Sequence, residues 1–369
     1  MNIFVLVSVV ILGVAVFFLG FLLLGTLRAL GLLSWRLEQL EATTPKRLGR
    51  DGLKPGKKAP DFTLPGWPGL KSSEAPAGAS QTQPRPPHLW PSGTRPERFT
   101  MHEHELETAL AAARAAGAYL VEAYERFQVI PDAPADISTE ADRRSQEIIL
   151  QAIRAAFPAD ALCAEESTAT LSGAQQTGDR LWIVDPIDGT RGFARKNGEF
   201  SVMIGFVEAG QIGVGVVHQP AARRLTYAVR GSGCWRRDSD ATEPVACHVT
   251  AVSELRQCTL TQSRSRTPGK RSRWVEAMKP AHVVESYSAG IKLALVARGE
   301  ADVYLNTYEA FHDWDICAGH ILVSEAGGQV TGTGGEDLRY GLPGAWQRQG
   351  LLASNGLVHE EALGKLKSF

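Results

Sequence analysis

The sequence shows almost no imbalance of charge. Its 369 residues include 39 Lys and Arg against 40 Asp and Glu, which gives a formal net charge of −1. A chain without a basic excess has no bulk attraction for a polyanion, so a nucleic-acid polymer is not an expected partner.

Cysteine is scarce and is not spaced as a metal or disulfide motif. The five cysteines are odd in number and form no CxxC pair: Cys163, Cys234, Cys247, Cys258 and Cys317. A zinc site or a disulfide framework therefore has no support in the sequence. Reduced thiols in a cytosol-like compartment fit better.

Residues 1–27 contain no charged side chain, and the stretch from Ile3 to Leu24 is almost wholly apolar. About 22 helical residues span roughly 33 Å, the thickness of a bilayer core. Because a basic n-region and a small-residue cleavage site are both missing, the pattern favours a transmembrane helix over a cleaved signal peptide. Positive charges follow this segment from Arg28 onward, and the positive-inside rule then places the remainder of the chain in the cytoplasm.

Residues 28–100 are interpreted as a juxtamembrane segment and a disordered linker. The stretch GLKPGKKAPDFTLP (52–65) resembles the entry strand of membrane-tethered thioredoxin-like redoxins. The first cysteine is Cys163, so the catalytic thiol of such a module is missing. Residues 66–98 are rich in Pro, Gly, Ser and Ala, which is typical of a flexible linker. Met101 opens the organised part and is an alternative start.

The most informative stretch is LWIVDPIDGT, residues 181–190. Its four apolar residues predict a short buried strand with Asp185 at the end, where Pro186 stops the ladder and a turn follows. Asp185 and Asp188 can converge on one point from so tight a turn. Crowded carboxylates raise one another's pKa, and Mg²⁺ with its preference for oxygen ligands relieves the repulsion. Taken alone, the segment is equally well explained as a solvated surface turn.

Two further acidic motifs extend the pattern, AEES (164–167) and WDICAG (314–319). Together with DPIDGT they resemble the signature of the inositol monophosphatase superfamily, the lithium-sensitive Mg²⁺-dependent phosphatases. The resemblance covers residues 101–369 and implies a five-layer αβαβα sugar-phosphatase fold with lobes at about 101–240 and 241–369. Independently, helices that alternate with mixed strands favour a layered α/β architecture.

The resemblance implies a site for two Mg²⁺ ions, with a third left open. Glu165, Asp185 and the carbonyl of Ile187 are expected to bind one ion. Asp185, Asp188 and Asp315 are expected to bind the second. Two ions can clamp the attacking and the leaving oxygen of an in-line displacement.

The resemblance also assigns the nucleophile and the phosphate donors. Thr190 and Asp142 are expected to orient and deprotonate the attacking water, with Glu165 as a further catalytic residue. The N–H groups of Gly189 and Thr190 are expected to hold the phosphate oxygens. Without these motifs, Asp142 would be interpreted as an acid favoured by the dipole at the start of a helix.

Three features resemble the 3′(2′),5′-bisphosphate nucleotidase branch, which converts 3′-phosphoadenosine 5′-phosphate to AMP. They are the run FARKNGEF (193–200), the run SRSR (263–266), in which Arg266 departs from the branch, and Lys292. A second phosphate needs cationic donors, which Arg264, Arg266 or Lys292 would supply. The alternative for residues 264–273 is a solvated basic loop.

The sequence is also compatible with other functions. Glu309 falls where inositol phosphatases contact sugar hydroxyls, so an inositol or histidinol phosphatase is the alternative activity. A membrane-tethered, inactive binding or scaffold protein is a third hypothesis, although such a protein has little reason to keep every ligand. Pairing into a homodimer is a further hypothesis.

Overall fold

A computed structural model describes residues 101–134, 136–239, 243–264 and 272–367. The predicted membrane segment (1–27) and linker (28–100), including the redoxin-like stretch, lie outside these residues and stay predictions. Across the described ranges, no helix is long and apolar enough to cross a membrane.

The helices of the described residues vary in length from one turn to seven. In chain order they are α1 Glu103–Arg126, α2 Glu140–Ala156, α3 Ala169–Ser172, α4 Thr190–Ala194, α5 Arg273–Met278, α6 Ala289–Ala297, α7 Asp313–Glu325 and α8 His359–Lys367.

The larger sheet has seven strands in the order of the chain. They are β1 Ala161–Ala164, β2 Arg180–Asp188, β3 Ser201–Glu208, β4 Gln211–Gln219, β5 Arg224–Val229, β6 Cys234–Arg237 and β7 Val245–Cys247. Only β1 and β2 pair in parallel. The β3–β4 hairpin turns at Ala209 and Gly210, whose φ angles are 48° and 75°, as two-residue hairpin turns require.

The remaining strands of the described residues are β8 Thr259–Ser263, β9 His282–Ser286, β10 Val303–Asn306, β11 Phe311–His312, β12 Gln329–Thr331, β13 Trp346–Gln347 and β14 Leu351–Ser354. Five of them form the second sheet, in the order β12-β14-β10-β8-β9. Strand β8 runs parallel to β9 and β10, while β14 is antiparallel to β10 and β12. Strands β11 and β13 form a separate pair.

The layers follow from the two-residue period of β2, because successive side chains of a strand point to opposite faces. Trp182 packs with Leu106 of α1 on one face of the seven-stranded sheet. Ile183 packs with Leu293 of α6 on the other face, in a cluster that also contains Tyr304 of the five-stranded sheet. Helices α6 and α7 therefore lie between the two sheets.

The outer face of the five-stranded sheet is covered by α5 and α8. Val275 of α5 and Leu363 of α8 pack with Leu260 of β8 in one apolar cluster. The order of layers is α1/α2, sheet, α6/α7, sheet, α5/α8, so the layered α/β prediction is confirmed. The boundary between the two lobes stays a prediction.

One local prediction is wrong: Pro186 does not end the strand. Strand β2 continues to Asp188, and its register with β3 shifts between Asp185 and Asp188. A proline is tolerated at such an irregularity because the ladder there needs no N–H from it. The Ser145 hydroxyl of α2 donates to the Pro186 carbonyl at 3.1 Å and pins the bulge to the helix.

Candidate active site

The bulge in β2 orients the two aspartates of the central motif. Asp185 is buried, and its Oδ1 accepts a hydrogen bond from the Ile187 N–H at 3.0 Å. Asp188 is also buried, three residues further along the irregular stretch. Both residues line the same cleft, and the charge of Asp188 adds to the factors that raise the pKa of Asp185.

Asp188 is held by the start of α6, a helix about 100 residues further along the chain. Its carboxylate accepts from the Ala289 N–H at 3.0 Å and the Gly290 N–H at 2.7 Å. The Ser201 hydroxyl donates to it at 3.2 Å, and the Ser288 hydroxyl, the N-cap of α6, also donates. Burial raises the pKa of Asp188, while the charge of nearby Lys292 and these hydrogen bonds oppose that rise.

Gly189 permits the sharp entry into α4. Its φ is +89°, a left-handed conformation that disfavours a side chain. A Cβ atom at this position would lie 2.6 Å from the Glu199 carbonyl oxygen. The chain can therefore turn here only with glycine, and the N–H of Thr190 becomes the first of a helix, where it has no intrahelical acceptor.

Thr190 and Asp142 form the hydrogen-bonded pair that the sequence predicted. The Thr190 hydroxyl oxygen lies 2.9 Å from Asp142 Oδ1 and 3.0 Å from the Ile187 carbonyl oxygen. Asp142 Oδ2 accepts from both the N–H and the hydroxyl of Thr139, at 2.8 and 2.6 Å. Asp142 therefore closes the capping box at the start of α2 with Thr139 and also bonds to Thr190. Burial, its main cause, raises the pKa of Asp142 to about 7.

Two carboxyls reach the same cleft from other elements. Glu165 follows β1, and its carboxyl shares a hydrogen bond with Asp185. Asp315 lies in the first turn of α7, where its Oδ2 accepts from the His312 N–H at 2.6 Å. Glu165 is exposed as a residue, and a quarter of the Asp315 side chain is exposed, so both open onto the cleft.

Four acids of the cleft are together called the acidic floor: Glu165, Asp185, Asp188 and Asp315. The pKa of each one is raised. Burial, together with the charges of Asp315 and Asp142, raises the pKa of Glu165 to about 8. Burial, with the charge of Asp188 adding to it, raises the pKa of Asp315 to about 7. Burial and the charge of Glu165 also raise the pKa of Asp185 well above its usual value.

Divalent metal binding fits this set of oxygen donors. Mg²⁺ prefers carboxylate and carbonyl oxygens and retains water, and it would stabilise the ionised form of every one of these acids. Within the described ranges, no three His, Cys, Asp or Glu side chains already stand in positions to hold a metal ion. Coordination therefore requires side chains to rearrange, among them Glu165, whose carboxyl bonds to Asp185 in this structure.

The cleft has a volume of about 550 Å³. Nine of the eleven predicted site residues line it: Glu165, Asp185, Ile187, Asp188, Gly189, Thr190, Arg264, Lys292 and Asp315. Asp142 lies behind Thr190 and is fully buried. Glu309 lies in an exposed turn and is not among the described residues that line the cleft, although Tyr308 and Phe311 beside it are. Arg266 is outside the described residues.

Lys292 lies in the wall of the cleft as a fully buried amine. Its Nζ donates to the Ser286 carbonyl at 2.9 Å and lies 5.1 Å from the centre of the Tyr304 ring. Burial lowers the pKa of Lys292 to about 8, against the opposing charge of Asp188. In this position the amine offsets the charge of the acidic floor.

Arg264 is already engaged by acidic side chains. Its guanidinium forms two hydrogen bonds with the Glu199 carboxylate, and a terminal nitrogen lies 3.9 Å from Glu285. The Glu199 carboxylate thus already binds the guanidinium N–H groups of Arg264 that were expected to bind a phosphate.

Sequence reasoning missed two hydroxyls and an aromatic residue of the site. Ser201 and Ser288 hold Asp188, and Tyr287 lines the cleft. The position of Ser288, directly before an apolar helical stretch, is a helix-start signal that would have identified it as a cap. For Ser201 and Tyr287 the sequence carries no comparable signal.

The chain is similar to known proteins over its described part. A family model described as "Inositol monophosphatase family" matches residues 101–368. The fructose-1,6-bisphosphatase/inositol-1-monophosphatase of Thermotoga maritima is 35% identical over 231 residues, which are 62% of this chain and 81% of that protein. The 3′(2′),5′-bisphosphate nucleotidase of Salmonella typhimurium is 29% identical over 241 residues, 64% of this chain and 93% of that one.

The fold is similar to that of solved proteins as well. A Thermotoga maritima structure titled as an IMPase is 31% identical, has a TM-score of 0.60, and matches 72% of this chain and 97% of its own. These similarities agree with the resemblance seen in the acidic motifs. Because they extend to proteins named for different phosphate esters, they do not select one substrate.

Proposed function

This chain belongs to the inositol monophosphatase family of phosphatases, and from that membership we propose that it is a Mg²⁺-dependent phosphomonoesterase that prefers 3′-phosphoadenosine 5′-phosphate. The observation that carries the proposal is the bond from the Thr190 hydroxyl to Asp142 at the edge of the cleft that contains the acidic floor. A hydroxyl tied to a buried carboxylate beside oxygen ligands suits the activation of water.

The acidic floor and the Ile187 carbonyl would hold the metal. Mg²⁺ bound there would supply Lewis acidity, a lower pKa for a coordinated water and compensation for charge on the phosphate. The oxygens that remain available suit this assignment. Asp188 Oδ1 accepts one hydrogen bond, from Ala289, and so keeps a lone pair directed elsewhere.

The protein's own groups would handle the proton. A hydroxyl has one hydrogen, so when Thr190 donates it to Asp142 Oδ1, the Thr190 oxygen is free to accept a hydrogen bond from the attacking water. As the water attacks phosphorus, the ester P–O bond breaks, the water proton passes to Thr190 Oγ1 and the threonine hydrogen passes to Asp142. The departing alcohol takes its proton from solvent water. A pKa of about 7 suits Asp142 to this task near neutrality. The Gly189 and Thr190 N–H groups would orient the phosphate oxygens.

The preference for a nucleotide bisphosphate is supported by cations that line the same cleft. Arg191 and Arg264 line it beside Tyr287, opposite in charge to the acidic floor. A remote phosphate bound there would help to position the scissile ester, and its binding energy would appear in catalytic efficiency.

A phosphate-release assay with a panel of esters tests the proposal. Full-length protein with Mg²⁺ is compared on 3′-phosphoadenosine 5′-phosphate, inositol 1-phosphate and histidinol phosphate. We expect kcat/KM for the nucleotide to exceed that for inositol 1-phosphate by at least about tenfold. Equal efficiency on both esters would contradict the nucleotidase assignment. Absence of release from every ester would favour the hypothesis of an inactive binding protein.

An inositol or histidinol phosphatase is the second candidate. The Thermotoga relative carries inositol-1-monophosphatase in its name, and the exposed turn that contains Glu309 adjoins cleft residues Tyr308 and Phe311. Under this alternative, Glu309→Gln would reduce efficiency on inositol 1-phosphate and leave the nucleotide unaffected.

A further inference from the structure

Three guanidinium groups lie within about 6 Å of the centre of the Tyr287 ring, which lines the cleft. Arg191 lies 5.1 Å from the ring centre, Arg264 5.7 Å and Arg195 5.8 Å. Arg191, Arg264 and Tyr287, together with Glu199 and Glu285 beside Arg264, are called the basic rim below. Two of the three arginines, Arg191 and Arg264, line the cleft together with Tyr287 itself.

The cations of the basic rim differ in how far their charge is already compensated. Arg264 is bound by both oxygens of Glu199, and Glu285 lies within 3.9 Å of it. Glu199 also accepts the Tyr287 N–H at 3.2 Å, so the pair is built into the wall. A substrate anion that sought Arg264 would have to displace a carboxylate that is already in place.

Arg191 has a different set of contacts. Its Nε–H donates to the Ala133 carbonyl at 3.0 Å, and its guanidinium packs over Tyr287. Throughout the described residues, no carboxylate lies within ion-pair distance of it. One N–H of the fork is therefore anchored, and the four N–H bonds of the terminal nitrogens keep an uncompensated charge.

The placement of Arg191 relates it directly to the reacting groups. It follows Thr190 in α4, so the short helix that carries the water-orienting hydroxyl also carries this cation. A carbonyl and an aromatic ring fix the guanidinium before any ligand arrives, which reduces the entropy lost on binding. A planar fork of this kind matches the oxygens of a phosphate group.

We propose that Arg191, packed on Tyr287, is the subsite for a second, non-reacting phosphate of the substrate. The inference rests on the proposed function in one respect, that the reacting phosphate binds over the acidic floor. It assigns the remote phosphate to Arg191 in place of Arg264, Arg266 or Lys292. The class of substrate is a compact bisphosphate, and nucleotide and sugar bisphosphates share the chemistry that Arg191 recognises.

The test compares substrates that differ only in the remote phosphate. One pair is 3′-phosphoadenosine 5′-phosphate and adenosine 3′-phosphate, and the other is fructose 1,6-bisphosphate and fructose 1-phosphate. For the full-length protein with Mg²⁺, the measured quantity is the ratio of kcat/KM for the bisphosphate to that for the monophosphate. The pair with the larger wild-type ratio identifies the source of the second phosphate.

Arg191→Gln is expected to lower that ratio at least about tenfold, since it removes a charge-assisted contact made only by the bisphosphate. Arg191→Lys is expected to retain part of it as a point charge without the fork. The matched control is Arg195→Gln, on the same ring but exposed and outside the described lining of the cleft. It is expected to keep the wild-type ratio.

Two kinetic outcomes would overturn the subsite. One is an equal loss on both members of each pair in Arg191→Gln, as expected for a purely structural arginine. The other is a collapse of the ratio in Arg264→Gln with none in Arg191→Gln.

A binding measurement separates this inference from the proposed function. Calorimetric titration with 5′-AMP, which retains the non-reacting phosphate, is expected to give at least about tenfold weaker affinity for Arg191→Gln than for wild type. If no ester is hydrolysed, the proposed function fails and this titration decides the subsite alone. Equal affinities in the two proteins would reject it.

Discussion

The acidic floor and the basic rim occupy one cleft, and they differ in how their charges are balanced. On the floor, four acids face a single buried amine, Lys292, and the pKa values of Glu165, Asp185, Asp188 and Asp315 are all raised. On the rim, Arg264 and Glu199 form a close ion pair. The floor thus carries an excess of negative charge that a divalent cation would offset, whereas on the rim the charge of Arg264 is compensated by Glu199 and that of Arg191 is not compensated by any described residue.

Because of this difference, we expect the floor residues to determine the rate of catalysis and the rim residues to determine which substrate is preferred. An uncompensated set of carboxylates is costly for the apo protein and becomes useful only with a metal, so its residues are constrained in both type and position. A compensated ion pair has little net effect on its own, and changing it alters which ligand is preferred. We therefore expect the largest effects from substitutions on the floor and the smallest from those in the compensated Arg264–Glu199 pair of the rim.

The largest loss is expected from removing a charge on the floor. Asp315→Asn and Asp188→Asn should each lower kcat by more than about a hundredfold, roughly 3 kcal/mol, because a metal-ligand charge is lost. The measurement is steady-state phosphate release on the best ester. The control is Asp337→Asn, an exposed acid outside the described lining of the cleft, which should retain activity.

The same two variants should differ in stability. Asp188 accepts four hydrogen bonds, from Ser201, Ser288, Ala289 and Gly290. These bonds use both carboxylate oxygens, and asparagine keeps only one acceptor oxygen, so at least one buried donor loses its acceptor and Asp188→Asn should also lower Tm. Asp315→Asn should not. Near-wild-type turnover in either variant, at unchanged metal content, would remove the floor from the mechanism.

Replacement of the threonine should cost less than loss of a metal ligand. Thr190→Val keeps the shape of the side chain but removes the hydroxyl bonded to Asp142. We expect kcat to fall by about a hundredfold or somewhat less, the lower range for a proton-transfer group. Thr190→Ser keeps the hydroxyl and should recover most of the activity. If valine and serine variants were equally active, water activation by this pair would be excluded.

The acids of the floor could be predicted from the sequence, but the residues that support them and the ion pair of the rim could not. Asp185 and Asp188 were identifiable because a metal fixes the type and the spacing of its ligands within one short turn. Ser288 holds Asp188 across 100 positions of sequence, a contact that only the packing of α6 between the sheets creates. The capture of Arg264 by Glu199 was equally hidden, because a basic residue in a sequence does not reveal which acid will reach it.

Mg²⁺ should stabilise the fold, and more strongly at high pH. The pKa of Asp315 is raised from 3.8 to about 7 and that of Glu165 from 4.5 to about 8, so the folded state holds protons that the unfolded state has lost. In a chelator, stability should therefore decrease as pH rises from about 5 through 8. Added Mg²⁺ binds the ionised acids and raises Tm by mass action.

The measurement is the Tm of full-length protein at pH 6 and pH 8, each with EDTA and with excess Mg²⁺. We expect the gain from Mg²⁺ to be larger at pH 8, and Asp315→Asn to reduce the difference between the two pH values. An equal gain at both pH values would mean that these acids are not the groups that the metal binds.

The smallest effect is expected on the rim, from release of Arg264. Glu199→Gln removes the charge that pairs with this guanidinium, while the amide oxygen can still accept the Tyr287 N–H. Because Arg264 is more than one-third exposed, the pair contributes at most about 1 kcal/mol, so KM for a bisphosphate should decrease by no more than about fivefold. KM for the matched monophosphate should not follow it. A rise in KM for both esters would mean instead that Glu199 supports the cleft wall through its bond to the Tyr287 N–H. The Arg264–Glu199 pair would then contribute to the structure of the cleft and not to the choice of substrate.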